Sequence, residues 1–308
     1  MSKIVVLTGL LLLLTSIAVG ADTKNGFDLQ DALIPSSEIH HGGPPKDGIP
    51  SIDHPAFVAA QQVNFLEPND RVIGVAYNGE IKAYPVAILN WHEIVNDRYK
   101  GERVVVSFCP LCGTGVVFST HNKKARTFGV SGLLYNSDLL LYDRETQSLW
   151  SQISGEAISG SQKGARFDLI PATHTSWSAW KQRYPNTKVL SEDTGYRRNY
   201  DRDPYAGYET REGLFFSVEN MDPRFHPKAR VEGLIINGVA KAYPHSELDK
   251  SKSAVQDVVG SVPVEIHFDE DGQSVEIYNA DGKRLPSLSS FWFAWYAFHP
   301  DTEVYKAP

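Results

Sequence analysis

The chain repeats part of its own sequence, and this repeat constrains the fold more than any other feature does. A pattern spanning Arg71–Pro85 recurs 159 residues later, at Arg230–Pro244. A later match, between Trp177–Trp180 and Trp292–Trp295, has an offset of 115 residues. Agreement at this many positions predicts two related structural units. The difference between the two offsets places about 44 extra residues in the first unit.

Each repeated segment has the pattern of two hairpins separated by a helix. Strand-like runs flank Asn78-Gly79, a pair of turn residues that favours a tight hairpin. Pro85 suits a helix start, and two β-branched runs follow on either side of Cys109–Gly113. The expected fold class is therefore α+β, with two tandem related strand-strand-helix-strand-strand units, the first carrying a β-rich insert of about 44 residues.

The same patterns predict how the chain is divided along its length. The expected segments are a signal peptide at 1–21, an extended N-terminal arm at 22–69, a first unit at 70–190 with its insert at 120–170, a connector at 191–229, and a second unit without cysteines at 230–308.

The N-terminus has the pattern of an export signal. Lys3 is followed by the mostly apolar stretch Ile4–Val19 and by a small-x-small sequence ending at Ala21. We therefore expect a periplasmic or secreted protein with no stable membrane insertion after signal cleavage; a retained N-terminal anchor is the alternative. The net charge of −7 and the absence of basic runs argue against a nucleic-acid partner. The expected partner is an unidentified small molecule or a redox partner.

Cys109 and Cys112 are the only two cysteines of the chain, and their spacing favours a metal-binding or redox role over a stabilising disulfide. A Cys-x-x-Cys loop is too short to restrict the unfolded chain much. The matching hairpin of the second unit has the turn Asp269–Gly272 and no thiol, so the fold does not require the pair. The remaining uses are a metal site and a redox-active dithiol.

A metal site here needs ligands besides the two thiolates, because a zinc or iron site made only of thiolates requires a second pair. Thiolates with imidazole suit copper or zinc, and His92 is the first imidazole to test. The rises of helix and strand, however, place the helix start near Pro85 closer to the sulfurs than His92. The other histidines considered are His40, His41, His54, His121 and His174.

Two other functions stay open. The cysteine pair could act as a thiol–disulfide oxidoreductase, although a strand rather than a helix is predicted after Cys112. Alternatively the cysteines form a structural disulfide in a non-catalytic ligand-binding module. In each case polar groups among large apolar residues of the insert are candidates for lining a pocket. These are Ser131, Tyr135, Asp143, Arg144, Ser148, Trp150 and Gln152.

Several motifs together resemble the bacterial and archaeal family known as DUF3179. They are Gly43–Pro50, Ala83–Pro85, His92–Asp97, Phe108–Cys112, Phe128–Gly132, Asp143–Trp150 and Trp177–Trp180. The resemblance covers most of the chain after the signal segment. It implies membership of the family and no particular activity.

Overall fold

The structure is a computed structural model that describes residues 22–120, 126–251 and 253–308. The predicted signal peptide and His121 lie outside these residues. About 40% of the described chain is strand and 11% is helix. Within the described ranges, no helix is long and apolar enough to cross a membrane.

The chain is built mainly from short strands. In chain order they are β1 Thr23–Lys24, β2 Phe27–Asp28, β3 Ile39–His41, β4 Phe57–Ala59, β5 Arg71–Tyr77, β6 Glu80–Pro85, β7 Ile94–Tyr99, β8 Glu102–Cys109, β9 Thr114–Ser119, β10 Phe128–Tyr135, β11 Asp138–Asp143, β12 Leu149–Ser151, β13 Glu156–Ala157, β14 Asp168–Leu169, β15 Thr173–Ser176, β16 Lys188–Leu190, β17 Arg230–Ile236, β18 Val239–Pro244, β19 Val255–Val259, β20 Val262–Asp269, β21 Ser274–Asn279, β22 Leu288–Phe291 and β23 Glu303–Val304. The α-helices are α1 Val86–His92, α2 Trp177–Arg183, α3 His245–Leu248 and α4 Trp292–Phe298, and single 3-10 turns cover Ser36–Glu38 and Ala60–Gln62.

These strands form five sheets of three to five strands and one two-stranded ribbon, β1-β2. The insert sheet has the order β13-β12-β11-β10-β3, and the cysteine sheet has the order β14-β9-β8-β7. The other three sheets are β15-β5-β6-β16-β4, β22-β17-β18-β23 and β19-β20-β21. The insert sheet therefore takes one strand, β3, from the N-terminal arm.

The predicted α+β class, with tandem strand-strand-helix-strand-strand units, is wrong. The α-helices are only four to seven residues long, and strands account for most of the regular structure. The two hairpins of the first predicted unit also lie in different sheets, since β5 and β6 pair with β15 and β16 while β8 and β9 pair with β7 and β14. The edges of the first hairpin are completed by strands about 100 residues away in sequence, which a local pattern does not specify.

The local turns follow the sequence closely. Asn78 and Gly79 join β5 to β6 with φ of 48° and 72°, the left-handed conformation that a two-residue hairpin turn needs. Pro85 ends β6, and α1 begins at the next residue. Its C-cap, Glu93, has φ of 57° and donates its backbone N–H to Leu89 O.

Two tryptophans pack directly on glycines in the sheets. A Cβ atom built on Gly74 in β5 would lie 2.3 Å from the ring of Trp180, and one on Gly233 in β17 would lie 2.1 Å from the ring of Trp295. Both indoles are almost fully buried. The absence of a side chain at each glycine thus lets α2 and α4 lie close to their sheets.

Candidate metal centre

The two cysteines lie in the turn that joins β8 to β9. Cys109 is the last residue of β8, and its carbonyl accepts the backbone N–H of Cys112 at 3.2 Å. Gly113 closes the turn with φ of 60°. Both side chains are buried and both are free thiols. The turn is covered by the second half of the chain, because Cys112 O accepts the N–H of Phe291 at 2.8 Å.

The insert brings a carboxyl group to the two sulfurs. Asn136 and Ser137 join β10 to β11 with φ of 49° and 65°, and Asp138 follows as the first residue of β11. Sγ of Cys109, Sγ of Cys112 and a carboxylate oxygen of Asp138 all lie within 4.8 Å of one another. Ser137 O also lies 3.4 Å from Cys112 Sγ and accepts its hydrogen bond. Cys109, Cys112 and Asp138 can therefore hold a metal ion.

Burial makes the three groups hard to ionise without a cation. It raises the pKa of Asp138 to about 7, although the hydrogen bond from the Ile153 N–H to Oδ2 favours the carboxylate. Burial likewise raises the pKa of Cys109, and it raises that of Cys112 well above its ordinary value. Asp138 Oδ1 is buried and has no hydrogen-bond partner among the described residues. A cation would bind this oxygen and stabilise the deprotonated thiols.

His92 is held by other groups and does not belong to this cluster. Its Nδ1 lies 2.8 Å from Pro50 O, which can only accept, so Nδ1 donates. Its Nε2 then accepts from the Tyr200 hydroxyl at 2.7 Å. The ring is buried, and burial lowers its pKa. Both nitrogens thus have partners at the end of α1, away from the group formed by Cys109, Cys112 and Asp138.

Three of the seven predicted pocket residues support the insert sheet. Ser131 Oγ donates to Leu140 O at 2.5 Å and accepts from the Leu133 N–H, at the bulge where the β10–β11 register shifts. Ser148 Oγ lies 2.8 Å from Thr146 Oγ1. Tyr135 packs its ring edge-on against Phe298.

Asp143 and Trp150 form a buried pair in the same sheet. The indole N–H of Trp150 donates to Asp143 Oδ2 at 2.9 Å, and the indole stacks on Phe167 at 5.0 Å. Asp143 also accepts from the backbone N–H and the hydroxyl of Thr146. These contacts fix the β11–β12 turn and leave the carboxylate of Asp143 fully occupied.

The side chains of Gln152 and Arg144 contact different parts of the fold from the Asp143–Trp150 pair and from each other. Gln152 Nε2 donates to Ser107 Oγ at 2.9 Å, beside the cysteine turn, and its Oε1 is buried without a partner in the described part of the chain. Arg144 donates to Asp53 at 2.7 Å and to Ser51 at 2.7 Å, at the opposite end of β8. The structure therefore does not gather the seven residues into one pocket.

A small cavity of about 90 Å³ lies beside the cysteine turn. Leu111 of the turn and Leu134 and Leu139 of the insert line it, with Glu93 and Tyr205 as its ionisable groups. Burial raises the pKa of Glu93 to about 8, and the nearby Asp138 adds to the shift. The cavity is thus largely apolar, with a carboxylic acid that is mostly protonated at neutral pH.

Sequence reasoning missed Asp138 and Glu93. A signal for Asp138 was present, since an acidic residue directly precedes the apolar run Leu139–Leu141 and follows a turn pair with high left-handed propensity. Such an acid at the start of a buried strand needs a partner. Glu93 gave a weaker signal, because its burial depends on the left-handed C-cap of α1.

Comparison with known proteins gives a single result. The family model described as "Protein of unknown function (DUF3179)" matches residues 46–285, which include the cysteine turn, Glu93 and Asp138. No curated protein and no solved structure matches the chain. Because the match covers most of the sequence, the chain belongs to the DUF3179 family.

Proposed function

We propose that this protein binds a transition metal, zinc or copper, through Cys109, Cys112 and Asp138, and that it does so outside the cytoplasm. The observation that carries the proposal is the approach of the three ligand atoms to within 4.8 Å of one another in a buried site. Zinc accepts thiolate and carboxylate ligands together, whereas a carboxylate is a poor ligand for the softer Cu(I). The two-sulfur, one-oxygen set therefore favours zinc over copper.

A site with three protein ligands would leave one position of a tetrahedral ion open. Structural zinc sites are closed by four protein ligands, while catalytic ones keep a position for water or substrate. The cavity beside Leu111 could admit a small molecule to that position, and Glu93 on its wall could hold or release a proton. The arrangement is thus compatible with catalysis at the metal.

A thiol–disulfide oxidoreductase is the second candidate, and the position of Asp138 favours it. In such a reaction one thiolate attacks a partner's disulfide to form a mixed disulfide and release one partner thiolate. The second cysteine thiolate then attacks the sulfur of the first and displaces the other partner thiolate. Cys109 and Cys112 are oxidised to a disulfide, the partner is reduced to a dithiol, and two electrons and two protons are transferred. A buried carboxylate with a pKa near 7 could accept the proton of the attacking thiol.

The metal content and free-thiol content of the full-length protein, purified from its export compartment, test the first proposal. We expect elemental mass spectrometry to find about one zinc or copper ion per protein chain. Cys109→Ser and Asp138→Asn should each lower the metal content at least tenfold. Asp143→Asn is the matched control, because Asp143 is a buried carboxylate of the same hairpin whose partners are Thr146 and Trp150.

A protein purified without metal would contradict metal binding, and the behaviour of its cysteines would then distinguish the oxidoreductase from the ligand-binding module. A metal-free protein whose disulfide is readily reduced by mild thiols, and whose thiols react more slowly in Asp138→Asn, supports the oxidoreductase. A disulfide that resists reduction, with full biological activity in the double serine variant, supports a ligand-binding module instead.

A further inference from the structure

A second polar site lies at the opposite end of the β7–β8 hairpin from the cysteines. It is a surface groove of about 420 Å³, here called the arginine groove, and Arg98, Arg103, Arg126 and Arg144 line it together with His54. Cys109 lies six positions after Arg103 in β8, or roughly 20 Å along the extended strand. The groove is therefore separate from the proposed metal centre.

Two of these arginines face each other across the hairpin. Arg98 in β7 and Arg103 in β8 are direct partners in the antiparallel register, so their side chains leave the same face of the sheet. Like charges placed directly opposite each other destabilise a sheet. Arg98 also donates to Gly101 O at 3.1 Å, but this bond uses only one of its N–H groups. An anion bound between the two guanidinium groups would relieve the repulsion.

The acidic residues of the groove are occupied by other donors. Asp97 accepts from Lys82 at 2.8 Å and from the Tyr84 hydroxyl at 2.6 Å. Asp53 accepts from Ser51 and Asn96 through Oδ1 and from Arg144 through Oδ2. Asp97 is thus buried with its partners, whereas Asp53 is partly exposed and is paired with Arg144.

Three guanidinium groups are left without a carboxylate. In the described ranges, no salt bridge is formed by Arg98, Arg103 or Arg126, whereas Arg144 has Asp53. Next to the groove residue Arg144, Glu145 accepts the backbone N–H groups of Arg126 and Thr127, and no ion pair within the described ranges joins it to a guanidinium group. This local excess of positive charge stands out in a chain whose net charge is −7.

We propose that the arginine groove binds a small polyanion bearing phosphate or carboxylate groups. Guanidinium groups form paired hydrogen bonds with both kinds of oxyanion, and Arg144 is already oriented by Asp53 and Ser51. The volume of the groove is that of a small-molecule site, larger than a single inorganic ion requires. The ligand is therefore a small organic or condensed anion with at least two negative charges.

Calorimetric titration of the full chain at low ionic strength tests the proposal, with pyrophosphate and citrate as separate probes. We expect at least one probe to bind, and the stronger one identifies the phosphate or the carboxylate class. Arg103→Gln and Arg126→Gln should each weaken that binding about tenfold or more. Arg197→Gln, which removes an exposed arginine outside the groove, should leave the dissociation constant within twofold.

The melting temperature gives a second measurement that does not depend on the titration. The bound probe should raise the melting temperature of the wild-type protein, and the same probe concentration should raise that of Arg103→Gln by less. Without a probe, Arg103→Gln should melt no lower than the wild type, because it removes the repulsion with Arg98. The proposal is wrong if neither probe binds, or if Arg197→Gln weakens binding as much as the groove variants do.

Discussion

At the residue scale, the packing of tryptophan on glycine explains two of the repeated positions. Gly74 and Gly233 lie under Trp180 and Trp295, so each glycine makes room for an indole that is almost fully buried. The indole N–H groups also have matching partners, Thr187 Oγ1 at 3.1 Å and Thr302 Oγ1 at 2.9 Å. A side chain at either glycine would push against an indole ring whose N–H group is held by its threonine hydrogen bond.

Gly74→Ala should therefore destabilise the protein. The new Cβ atom would lie 2.3 Å from the ring of Trp180, and over-packing of this kind costs about 1–3 kcal/mol. Gly213→Ala is the matched control, since nothing lies within 4 Å of its Cβ position and its φ is not positive. Urea unfolding should show a loss of stability for the first variant and no loss for the second. Equal stabilities of the two variants would mean that the Trp180 contact is not tight.

The sequence predicted the position of the candidate site, the cysteine turn, but not the full set of side chains around it. The spacing of Cys109 and Cys112, and the thiol-free turn Asp269–Gly272, indicated the cysteine turn without any structure. Asp138 is 26 positions further along the chain, and its approach to the sulfurs depends on how the insert sheet packs on the cysteine sheet. His92 had the expected residue type, but helix and strand geometry already favoured the helix start near Pro85, and the hydrogen bonds to Pro50 and Tyr200 hold the imidazole elsewhere.

At the element scale, the β10–β11 hairpin is the part of the insert that completes the candidate site. Its two turn residues, Asn136 and Ser137, have the left-handed conformation, and Asn136 Oδ1 accepts the N–H of Glu219 in the connector at 2.9 Å. The Ser137 hydroxyl has no partner among the described residues. The position of Asp138 thus depends on backbone conformation two residues before it.

Substitutions at Ser137 should separate turn geometry from ligand chemistry. Ser137→Val places a β-branched residue at φ of 65°, which costs about 1–3 kcal/mol and should shift Asp138 enough to lower the metal content severalfold. Ser137→Gly keeps the turn and should retain the metal with equal or higher stability. Metal content and melting temperature of the two variants check this expectation. Full metal retention in Ser137→Val would show that the turn does not position Asp138.

Local patterns predicted the hairpins, but they did not predict the sheets. Asn78-Gly79 fixes the β5–β6 turn through its own backbone preferences. The partners on the outer edges, β15 beside β5 and β16 beside β6, are about 100 residues away in sequence. Such pairings depend on which buried faces match across the whole fold, and for this reason the α+β class was wrong while the turn was right.

At the scale of the whole molecule, buried ionisable groups should give stability an unusual pH dependence. Burial raises the pKa of Glu93 to about 8 and those of Asp138 and Glu232 to about 7. It lowers the pKa of His174 and of His245 to about 3. The three acids bind more protons in the folded state than in the unfolded state, and the two histidines bind fewer, so the effects oppose each other between about pH 4.5 and 6.5.

Above pH 6.5 the two histidines are neutral in both the folded and the unfolded state, so only the buried acids contribute to the pH dependence of stability. The free energy of unfolding should then fall by on the order of 3 kcal/mol between pH 6.5 and pH 8, as Glu93, Asp138 and Glu232 lose their protons in the folded state. Urea unfolding of chelator-treated protein measures this fall. Glu232→Gln should make it smaller, and Glu212→Gln, at an exposed position, should leave it unchanged. A stability that rises from pH 6.5 to pH 8 would contradict the assignment.

The place of β3 on the edge of the insert sheet has a consequence for how much of this chain is needed to fold the matched region. The family model matches residues 46–285, yet β3 ends at His41 and α4 begins at Trp292. A chain trimmed to the matched residues would leave β10 with an open edge, a surface prone to pairing with other molecules. It would also lose Trp295 from the pocket over Gly233. Segments outside the family match therefore cover an edge of the insert sheet and complete the core around Gly233.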